Sequence, residues 1–283
     1  MTVADRGVKL PRAMGHEVLG TIAKLGPDAH GLVLGDRRIV FPWLGYGDYR
    51  LCGAGDGNLC DRPQSAGIFR DGGMASFVVV RDARYLVDPG ALDFAVACSY
   101  GCSGTTALNA IRKLSPSIPA QSVVVIGGLG LAAISILRAL PHTNIFCIDI
   151  KAEGSQAATE ARVMAALMGG QKTEPVSSTV DCVNNSKTAV LSFCILVKGG
   201  KMVEVGLLGG LLNLSLVGLV ARAATIMGRN TGTIQDLEVL VQLANKRALA
   251  PMPIATMPRA HTQEALMPLR ERKVMGRLVL VQG

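Results

Sequence analysis

The sequence has few aromatic residues and no concentrated block of basic charge. Phe, Trp and Tyr together make up 4% of its 283 residues. The formal net charge is +8, yet the basic residues are scattered, and the longest groupings are Arg37-Arg38 and an interrupted cluster at 270–273. A nucleic-acid surface normally combines a basic patch with aromatic stacking platforms. The sequence therefore argues against nucleic-acid binding and favours a solvated basic surface that helps to attract an anionic ligand.

Long apolar runs and a secretory leader are also missing. The most apolar stretch, 203–227, is interrupted by Gly206, Asn213, Arg222 and other residues, so no run reaches the roughly eighteen apolar residues of a membrane span. The N-terminal sequence MTVADRGVKLPR lacks the apolar core of a signal peptide. Seven cysteines without such a signal predict a reducing, cytoplasmic compartment, where cysteine serves packing, metal binding or catalysis. We expect no membrane partner.

The residues that are abundant indicate a globular protein of two domains. Apolar residues make up 49% of the chain, glycine occurs 33 times, and the length exceeds that of most single cores. The first part of the chain is rich in glycine and carries short β-branched runs at 18–23, 38–41 and 75–80. This pattern predicts an antiparallel, β-rich domain.

After Gly104 the pattern changes to that of an α/β fold. A continuous apolar run at 122–126 predicts a parallel strand buried on both faces. A glycine turn, a helix at 131–140 and a second strand at 145–150 follow it, which makes one βαβ unit. Further strands are predicted at 179–183, 201–205, 225–227 and 277–281, and further helices at 105–114, 236–246 and 263–272.

Two features of the βαβ unit point to a dinucleotide. Asp149 ends the second strand, 19 positions after Gly130, where dinucleotide-binding folds place a carboxylate on the adenosine ribose. A carboxylate accepts hydrogen bonds from a free 2′-hydroxyl and repels a 2′-phosphate, so Asp149 favours NAD over NADP; the alternative is a solvated aspartate at a strand end. The turn Gly127-Gly128-Leu129-Gly130 is shorter than the full G-x-G-x-x-G, which predicts a remodelled pyrophosphate site at the helix N-terminus.

Gly15-His16-Glu17 precedes an apolar strand, and a single histidine there is by itself more often a core or surface residue than a ligand. The wider series of motifs is specific, however. In order along the chain, the motifs are GHEVLGTIAKLGPD, LGDRRIVFPW, CGAGDGNLC, DGGMASFVVV and ACSYGCSGTTALNAI. Together with VNNS, KGGKMVEVGLLGG and KVMGRLVLV, they resemble the medium-chain, zinc-dependent alcohol dehydrogenase family over nearly the whole chain. The resemblance implies a Rossmann-type doubly wound parallel sheet at 104–248 and a β-rich, GroES-like catalytic domain at 1–103, completed by 249–283.

The resemblance also implies a catalytic zinc. His16 matches the histidine ligand, and Glu17 matches the adjacent acid that can swing onto the metal. Cys102, rather than Cys98, matches the later cysteine ligand, because it immediately precedes the motif S-G-T-T. A thiolate and an imidazole suit tetrahedral zinc. Such a zinc acts as a Lewis acid on the alcohol oxygen and allows hydride transfer to nicotinamide.

Two departures from the family pattern lower the expected number of metal ligands. The family's first zinc ligand is a cysteine upstream of GHE, whereas the fourteen residues before GHE hold no Cys, His or Ser, so two protein ligands and the adjacent acid are expected. In the family's structural zinc lobe, four cysteines are spaced C-x2-C-x2-C-x7-C. Its last two positions match Cys52 and Cys60, but the first two match Tyr46 and Tyr49. We therefore predict no structural zinc and expect the tyrosines to pack in its place.

The resemblance assigns further residues to the cofactor. Thr106 matches a catalytic-site residue that packs on the nicotinamide, and Val205 and Gly206 match the strand end beside that ring. Arg277 matches a basic residue that reaches the pyrophosphate; the alternative is an exposed arginine on a closing strand. The interval 149–184 is about ten positions short of the family pattern, so we expect an abbreviated βα unit there.

These features predict an oxidoreductase that interconverts an alcohol and its aldehyde or ketone with NAD and one catalytic zinc. Trp43 and Thr106 are the expected residues of the pocket for the small-molecule substrate. The apolar, glycine-broken stretch 206–224 is expected at the interface of a homodimer or a dimer of dimers. Two alternatives remain open: a catalytically impaired, nucleotide-binding paralogue, and a zinc-free quinone or enoyl reductase of the same superfamily.

Overall fold

The computed structural model describes residues 7–115, 121–127, 130–149, 164–167, 175–246, 249–250, 252–271 and 273–282. These residues include no helix that is both long and apolar enough to cross a membrane. The chain divides into two units. The first comprises Met1–Thr105, Thr231–Arg247 and Pro253–Gly283, and the second comprises Thr106–Asn230 and Ala248–Met252.

The strands and helices agree with most of the predicted elements to within a few residues. The strands are β1 (Val18–Thr21), β2 (Arg37–Val40), β3 (Leu86–Val87), β4 (Val123–Ile126), β5 (Ile145–Asp149), β6 (Met164–Leu167), β7 (Val176–Asp181), β8 (Leu196–Glu204), β9 (Thr225–Gly228), β10 (Ile254–Pro258) and β11 (Arg277–Val281). The helices are α1 (Arg50–Gly53), α2 (Phe94–Ser99), α3 (Thr105–Arg112), α4 (Gly130–Ala139), α5 (Ser186–Cys194), α6 (Leu216–Arg222), α7 (Ile234–Asn245) and α8 (Thr262–Arg270). A π-helical turn, Tyr100–Gly104, joins α2 to α3, and 3-10 turns cover Gly57–Leu59, Ala83–Tyr85 and Arg259–His261.

The first unit contains the predicted antiparallel sheet. β1, β2 and β3 pair in sequence, with Val18 opposite Val40 and Ile39 opposite Val87. β10 and β11 form a separate parallel pair. Apolar side chains of the sheet and of α2 and α7 share one core, whose buried members are Ile39, Phe41, Val87, Ala97, Leu237 and Val241.

The β-branched run at 75–80, unlike those at 18–23 and 38–41, does not form a strand. Within the part of the chain that the structure describes, this segment has no strand partner, and Phe77 and Val79 are 77% and 90% exposed. A β-branched run becomes a stable strand only where another strand pairs with it. Here the Gln282 side chain instead donates hydrogen bonds to the carbonyls of Ala75 and Ser76, at 3.4 and 3.1 Å.

Helix α7 belongs to the first unit, although it falls within the range 104–248 that was predicted for the Rossmann-type domain. Leu237 is fully buried, and it packs with Val241 in the same core as Ile39 of β2. Contacts between residues that are about 200 positions apart leave no trace in a local apolar pattern. The pattern predicted the helix, and only the tertiary structure assigns it to a unit.

Helix α7 begins with a capping box. The Thr233 hydroxyl accepts a hydrogen bond from the Asp236 amide at 3.2 Å, and the Asp236 carboxylate accepts one from the Thr233 amide at 2.9 Å. We expect Thr233→Ala to lower the free energy of unfolding by about 1 kcal/mol, because it removes the first bond. Urea denaturation measures this loss, with Thr233→Ser as the control that keeps the hydroxyl. Equal losses in both variants would contradict the capping role.

The second unit is built on a parallel sheet of six strands in the order β6-β5-β4-β7-β8-β9. Counted along the chain, this is the order 3-2-1-4-5-6 of dinucleotide-binding folds, with its switch point between β4 and β7. Every residue of β4 is at most 1% exposed, as expected for a strand covered on both faces. The predicted Rossmann-type, doubly wound sheet is confirmed.

The short interval 149–184 still contains the third strand of this order. β6 pairs with β5 in parallel, with Phe146 opposite Met164 and Asp149 opposite Leu167. The abbreviated βα unit that the sequence predicts would have to fall at 150–163 or 168–174, which lie outside the described residues.

Candidate active site

A cluster of glycines in the first unit fixes the position of His16. Gly15 has φ +94°, and the amides of 72–74 donate hydrogen bonds of 2.8–2.9 Å to the carbonyls of 13–15. A Cβ atom on Gly72 would lie 2.1 Å from the Gly15 carbonyl oxygen, and one on Gly15 would lie 2.9 Å from the Met74 amide nitrogen. The two backbones therefore contact each other directly, which side chains at these positions would prevent.

The His16 imidazole is half-buried beside Trp43, with the two ring centroids 5.3 Å apart and the ring planes at 52°. Burial lowers the pKa of His16; Glu17 opposes this effect and Arg277 adds to it. The imidazole is therefore neutral near pH 7, which is the form that ligates a metal. His16 and Glu17 line a cavity of about 2060 Å³ in the first unit, so a small molecule can reach them.

Glu17 connects the His16 segment to the turn that carries Cys102. Its carboxylate accepts a hydrogen bond of 2.8 Å from the Ser103 amide, across 86 positions of sequence. Cys102 is half-buried in the π-helical turn Tyr100–Gly104, and such turns are frequent at functional sites. The structure thus brings two distant motifs together, namely the one with His16 and Glu17 and the one with Cys102.

Cys98 lies near the same acid, and its thiol makes a hydrogen bond within α2. Its side chain is buried, and its thiol donates a hydrogen bond of 3.3 Å to the Ala95 carbonyl. Burial, followed by the charges of Glu17 and Asp93, raises the pKa of Cys98 to about 12. Without a metal nearby, the Cys98 sulfur therefore stays protonated near neutral pH. Cys102 remains the candidate ligand because of its position directly before the S-G-T-T motif.

The donors at this site suit zinc in kind, while their number is small. A neutral imidazole and a cysteine sulfur are ligand types that zinc takes in proteins. Among the residues that the structure describes, however, no group of three or more His, Cys, Asp or Glu side chains is arranged to hold a metal ion. A zinc bound by His16 and Cys102 would therefore need water, substrate or a moved Glu17 to complete its coordination.

The lobe at 46–60 departs from the expectation for its two tyrosines. Tyr46 and Tyr49 are 50% and 37% exposed, so the prediction that they pack in place of a metal is wrong. The Arg62 guanidinium lies 5.9 Å from the centre of the Tyr46 ring, and the Tyr49 hydroxyl hydrogen-bonds to Asp61. Phenol side chains keep their hydroxyl ends beside polar partners, which are available at this surface.

In the second unit, the predicted dinucleotide residues lie at the carboxyl edge of the sheet. Gly127 follows β4 with φ +81°, and its amide donates a hydrogen bond of 2.9 Å to the Ile148 carbonyl. Asp149 is the last residue of β5, the strand beside β4. Helix α4 begins at Gly130, so its N-terminus lies at the same edge. Two predicted positions, Gly128 and Leu129, lie outside the described residues.

The ends of β4, β7 and β8 meet around Val183. A Cβ on Gly127 would lie 2.1 Å from a Val183 methyl carbon, and one on Gly206 would lie 2.3 Å from the Val183 backbone. The amides of Val205 and Gly206 both donate to the Asp181 carbonyl, at 2.9 and 3.1 Å. Glycine at 127 and 206 therefore allows Val183 to pack directly against the backbone at this edge.

Sequence reasoning missed an acidic pair at this edge. Asp181 is fully buried, and Glu204 is half-buried opposite it in the β7–β8 register. Burial, followed by the charge of Asp181, raises the pKa of Glu204 to about 7. Both carboxylate oxygens of Glu204 are buried and have no hydrogen-bond partner among the described residues. Each acid lies in a predicted strand, but only the strand order shows that they face each other.

Thr106 and Arg277 each carry a buried polar atom without a hydrogen-bond partner in the described part of the chain. The atom is Oγ1 of Thr106 in α3 and Nε of Arg277 in β11. Arg277 belongs to the first unit, where its charge lowers the pKa of His16. A buried polar atom is unfavourable unless a ligand or water satisfies it, so each of these two atoms is a candidate for a contact with a ligand or with water.

Comparison with known proteins identifies relatives over almost the entire chain. A family profile described as "Alcohol dehydrogenase GroES-like domain" matches residues 1–89. An NAD-dependent alcohol dehydrogenase of Sulfurisphaera tokodaii is 34% identical over 294 residues, which cover 99% of this chain and 84% of that protein. A D-arabinose 1-dehydrogenase (NADP(+)) of Saccharolobus solfataricus is 29% identical, over 98% of this chain and 83% of that protein. The crystal structure of the alcohol dehydrogenase from Aeropyrum pernix matches with a TM-score of 0.89 at 23% identity, over 97% of this chain and 84% of that one.

Proposed function

Because the chain belongs to the medium-chain alcohol dehydrogenase family, we propose that it interconverts a small-molecule alcohol and its aldehyde or ketone, with NAD as the hydride carrier. Relatives named NAD-dependent alcohol dehydrogenase support this reaction class. The observation that carries the proposal is the carboxyl edge of the six-stranded sheet, where Asp149 ends the strand next to the switch point.

The second unit supplies most of the proposed cofactor contacts. The Asp149 carboxylate accepts hydrogen bonds from the adenosine ribose, and the N-terminus of α4 stabilises the pyrophosphate. Val205 and Gly206 border the nicotinamide, against which Thr106 packs. Arg277 remains a predicted contact of the pyrophosphate, and its Nε is buried without a hydrogen-bond partner among the described residues. NAD, when bound, supplies the ring carbon that accepts the hydride.

The first unit supplies the proposed metal site. His16 and Cys102 hold one zinc ion, with Glu17 beside them. When bound, zinc supplies a Lewis acid that lowers the pKa of the alcohol hydroxyl. Burial keeps His16 neutral and able to ligate, and the bond from the Ser103 amide to Glu17 keeps the two motifs together. Trp43 packs on the His16 ring and restricts its orientation.

The direct test of this function is NADH formation by zinc-replete protein, followed by its ultraviolet absorbance. The substrates are a panel of primary and secondary alcohols, with sugars included because one relative is named a D-arabinose 1-dehydrogenase. We expect turnover of at least one member of the panel, and no turnover by His16→Ala, which removes a zinc donor but leaves the cofactor edge intact. Equal turnover by both proteins would contradict the role of His16.

A catalytically impaired, nucleotide-binding protein is the second candidate. It is favoured by the small donor number, since the described residues provide no group of three or more metal-ligating side chains. This candidate predicts that NADH binds while no substrate of the panel is turned over. Titration with NADH, followed by the activity assay on the same sample, separates the two candidates.

A second copy of the chain is the proposed protein partner. Apolar side chains on and before α6 are at least 66% exposed; they are Leu207, Leu208, Leu211, Leu216, Val217 and Val220. β9 lies directly after α6 and forms an edge of the six-stranded sheet. Exposed apolar patches and open sheet edges are typical of interfaces. We therefore propose a homodimer or a dimer of dimers with 206–224 at the interface.

Sedimentation equilibrium tests this interface. We expect the unmodified protein to be at least dimeric at micromolar concentration. Val217→Glu should weaken association by roughly tenfold or more, because it would bury an unpaired charge. Val33→Glu is the matched control, since Val33 is 66% exposed in the first unit. An unmodified protein that sediments only as a monomer would contradict the proposal.

The cytoplasm is the proposed location. All seven cysteines are free thiols, and a reducing compartment maintains this state. An NAD-dependent redox reaction also requires a compartment that contains the nucleotide.

A further inference from the structure

Two cysteine sulfurs lie against the same backbone turn in the lobe at 45–62. The Tyr46 amide donates a hydrogen bond of 3.4 Å to the Cys60 sulfur. The Cys52 sulfur packs on Gly45, where a Cβ atom would lie 2.5 Å from it. The two thiols also hydrogen-bond to each other. Residues that are eight positions apart in sequence thus place their sulfurs side by side.

The surrounding structure holds this arrangement in place. The Arg81 guanidinium donates to the carbonyls of Gly45 and Tyr46, at 2.8 and 3.0 Å, and so fixes the turn beneath the sulfurs. Helix α1 carries Cys52, and the 3-10 turn Gly57–Leu59 directly precedes Cys60. The pair is therefore preorganised and does not have to be assembled from a flexible loop.

The arrangement of Cys52 and Cys60 suits a reaction between two thiols better than it suits metal binding. In the described part of the chain no third His, Cys, Asp or Glu joins Cys52 and Cys60 in a metal-holding group. Cys60 is buried, whereas Cys52 is half-buried. A small oxidant can approach through the Cys52 side, while larger reagents are hindered at Cys60.

The two thiols differ in acidity. Burial opposes ionisation of Cys60, but hydrogen bonds from the backbone amides of Tyr46 and Arg62 and from the Cys52 thiol outweigh it and lower the pKa of Cys60. Burial, and the neighbouring Cys60, raise the pKa of Cys52. One thiol is thus the stronger acid and the other retains its proton, which is the combination that thiol oxidation to a disulfide uses.

We propose that Cys52 and Cys60 are a modification site that forms a reversible intramolecular disulfide with hydrogen peroxide as the oxidant. The Cys60 thiolate attacks one peroxide oxygen, so that an S–O bond forms, the O–O bond breaks and hydroxide leaves. The proton that Cys60 lost on ionisation neutralises this hydroxide and gives the first water. The Cys52 sulfur then attacks Cys60, so that the S–S bond forms and the S–O bond breaks, and the departing hydroxide takes the Cys52 proton and gives the second water. Overall, two thiols and one peroxide give one disulfide and two waters. A small dithiol reverses the oxidation.

Peptide mapping of the full-length protein tests the proposal. Trypsin cleaves after Arg50 and Arg70 but not at Arg62, which precedes Pro63, so the peptide 51–70 contains Cys52 and Cys60 and no other cysteine. The folded protein is treated with hydrogen peroxide, denatured and alkylated. We expect this peptide to lose the mass of two hydrogen atoms and to take up no alkyl label, and to take up both labels again after dithiothreitol treatment.

The exposed Cys194 is the control thiol, because it lies on another peptide and has no neighbouring cysteine there. Cys194→Ser should leave the disulfide unchanged, whereas Cys52→Ser and Cys60→Ser should each abolish it. The disulfide should also form roughly tenfold or more faster in folded than in urea-unfolded protein, since folding holds the sulfurs together. This comparison uses only the unmodified chain. A peptide 51–70 that retains both labels, pairing of either cysteine with a third one, or equal rates folded and unfolded would each overturn the proposal.

Discussion

Replacing Cys102 by serine is expected to remove bound zinc and to lower kcat/KM by on the order of 10³-fold. The cause is the number of donors, since His16 and a carboxylate alone bind zinc weakly. A loss of this size corresponds to the several kcal/mol of transition-state stabilisation that a metal Lewis acid contributes. Elemental analysis of dialysed protein gives the zinc content, and steady-state kinetics with NAD gives the rate. Both measurements are made on the same sample, whose fold is checked by circular dichroism.

Two neighbouring thiols provide matched controls for this substitution. Cys98→Ser should keep its zinc, because the buried Cys98 thiol donates to the Ala95 carbonyl and is not one of the proposed ligands. Cys52→Ser should also keep the metal count, since Cys52 belongs to the thiol pair in the lobe. We expect at most one zinc per chain in the unmodified protein. Two zincs per chain, or a zinc that survives Cys102→Ser, would contradict this assignment.

The cofactor half of the fold could be predicted because its signals are local. The apolar run that became β4, the glycine turn after it and the acid that ends β5 all lie within about thirty residues of one another. Such a βαβ unit is specified by strand hydrophobicity and turn chemistry, and neither depends on distant parts of the chain. Asp149 lies at the end of β5, as its spacing from Gly130 predicted.

Three of the features that sequence reasoning missed depend on distant contacts. The apolar segment 75–80 has the composition of a strand, but pairing decides whether it becomes one. Helix α7 has a clear apolar face, but the pattern does not say that this face packs against β2. Asp181 and Glu204 face each other only because β7 and β8 are neighbours. The Tyr46 and Tyr49 positions matched a motif, yet their side chains lie at the surface.

The position of the candidate metal residues is an intermediate case. The motifs containing His16 and Cys102 were identified because they resemble sequence motifs of a known family. That they lie near each other follows from a contact that no local pattern encodes, namely the bond from the Ser103 amide to Glu17. The glycines at 72 and 73 make this geometry possible, because their backbone contacts that of Gly15.

Asp149→Ala is expected to reduce the preference for NADH over NADPH by roughly 10- to 100-fold, which corresponds to about 1–3 kcal/mol for a lost charged hydrogen-bond partner. Asp149 is half-buried at the end of β5, and its charge contributes to the raised pKa of the neighbouring Cys147, about 11, behind the larger effect of burial. The negative charge that affects the Cys147 thiol also acts on a ligand bound at the end of β5. It favours a free ribose hydroxyl and repels a 2′-phosphate.

Isothermal titration of both nucleotides into the unmodified and substituted proteins measures this preference. Asp149→Asn is the sharper variant, because it removes the charge but keeps a hydrogen-bonding side chain of the same size. It should relieve the repulsion of NADPH while losing less NADH affinity than the alanine variant. Asp48→Ala, at an exposed position in the first unit, is the matched control and should leave both affinities unchanged. Equal affinity of the unmodified protein for the two nucleotides would contradict the assignment of Asp149 to the ribose. A carboxylate at that position attracts a hydroxyl group and repels a phosphate, so the two affinities must differ.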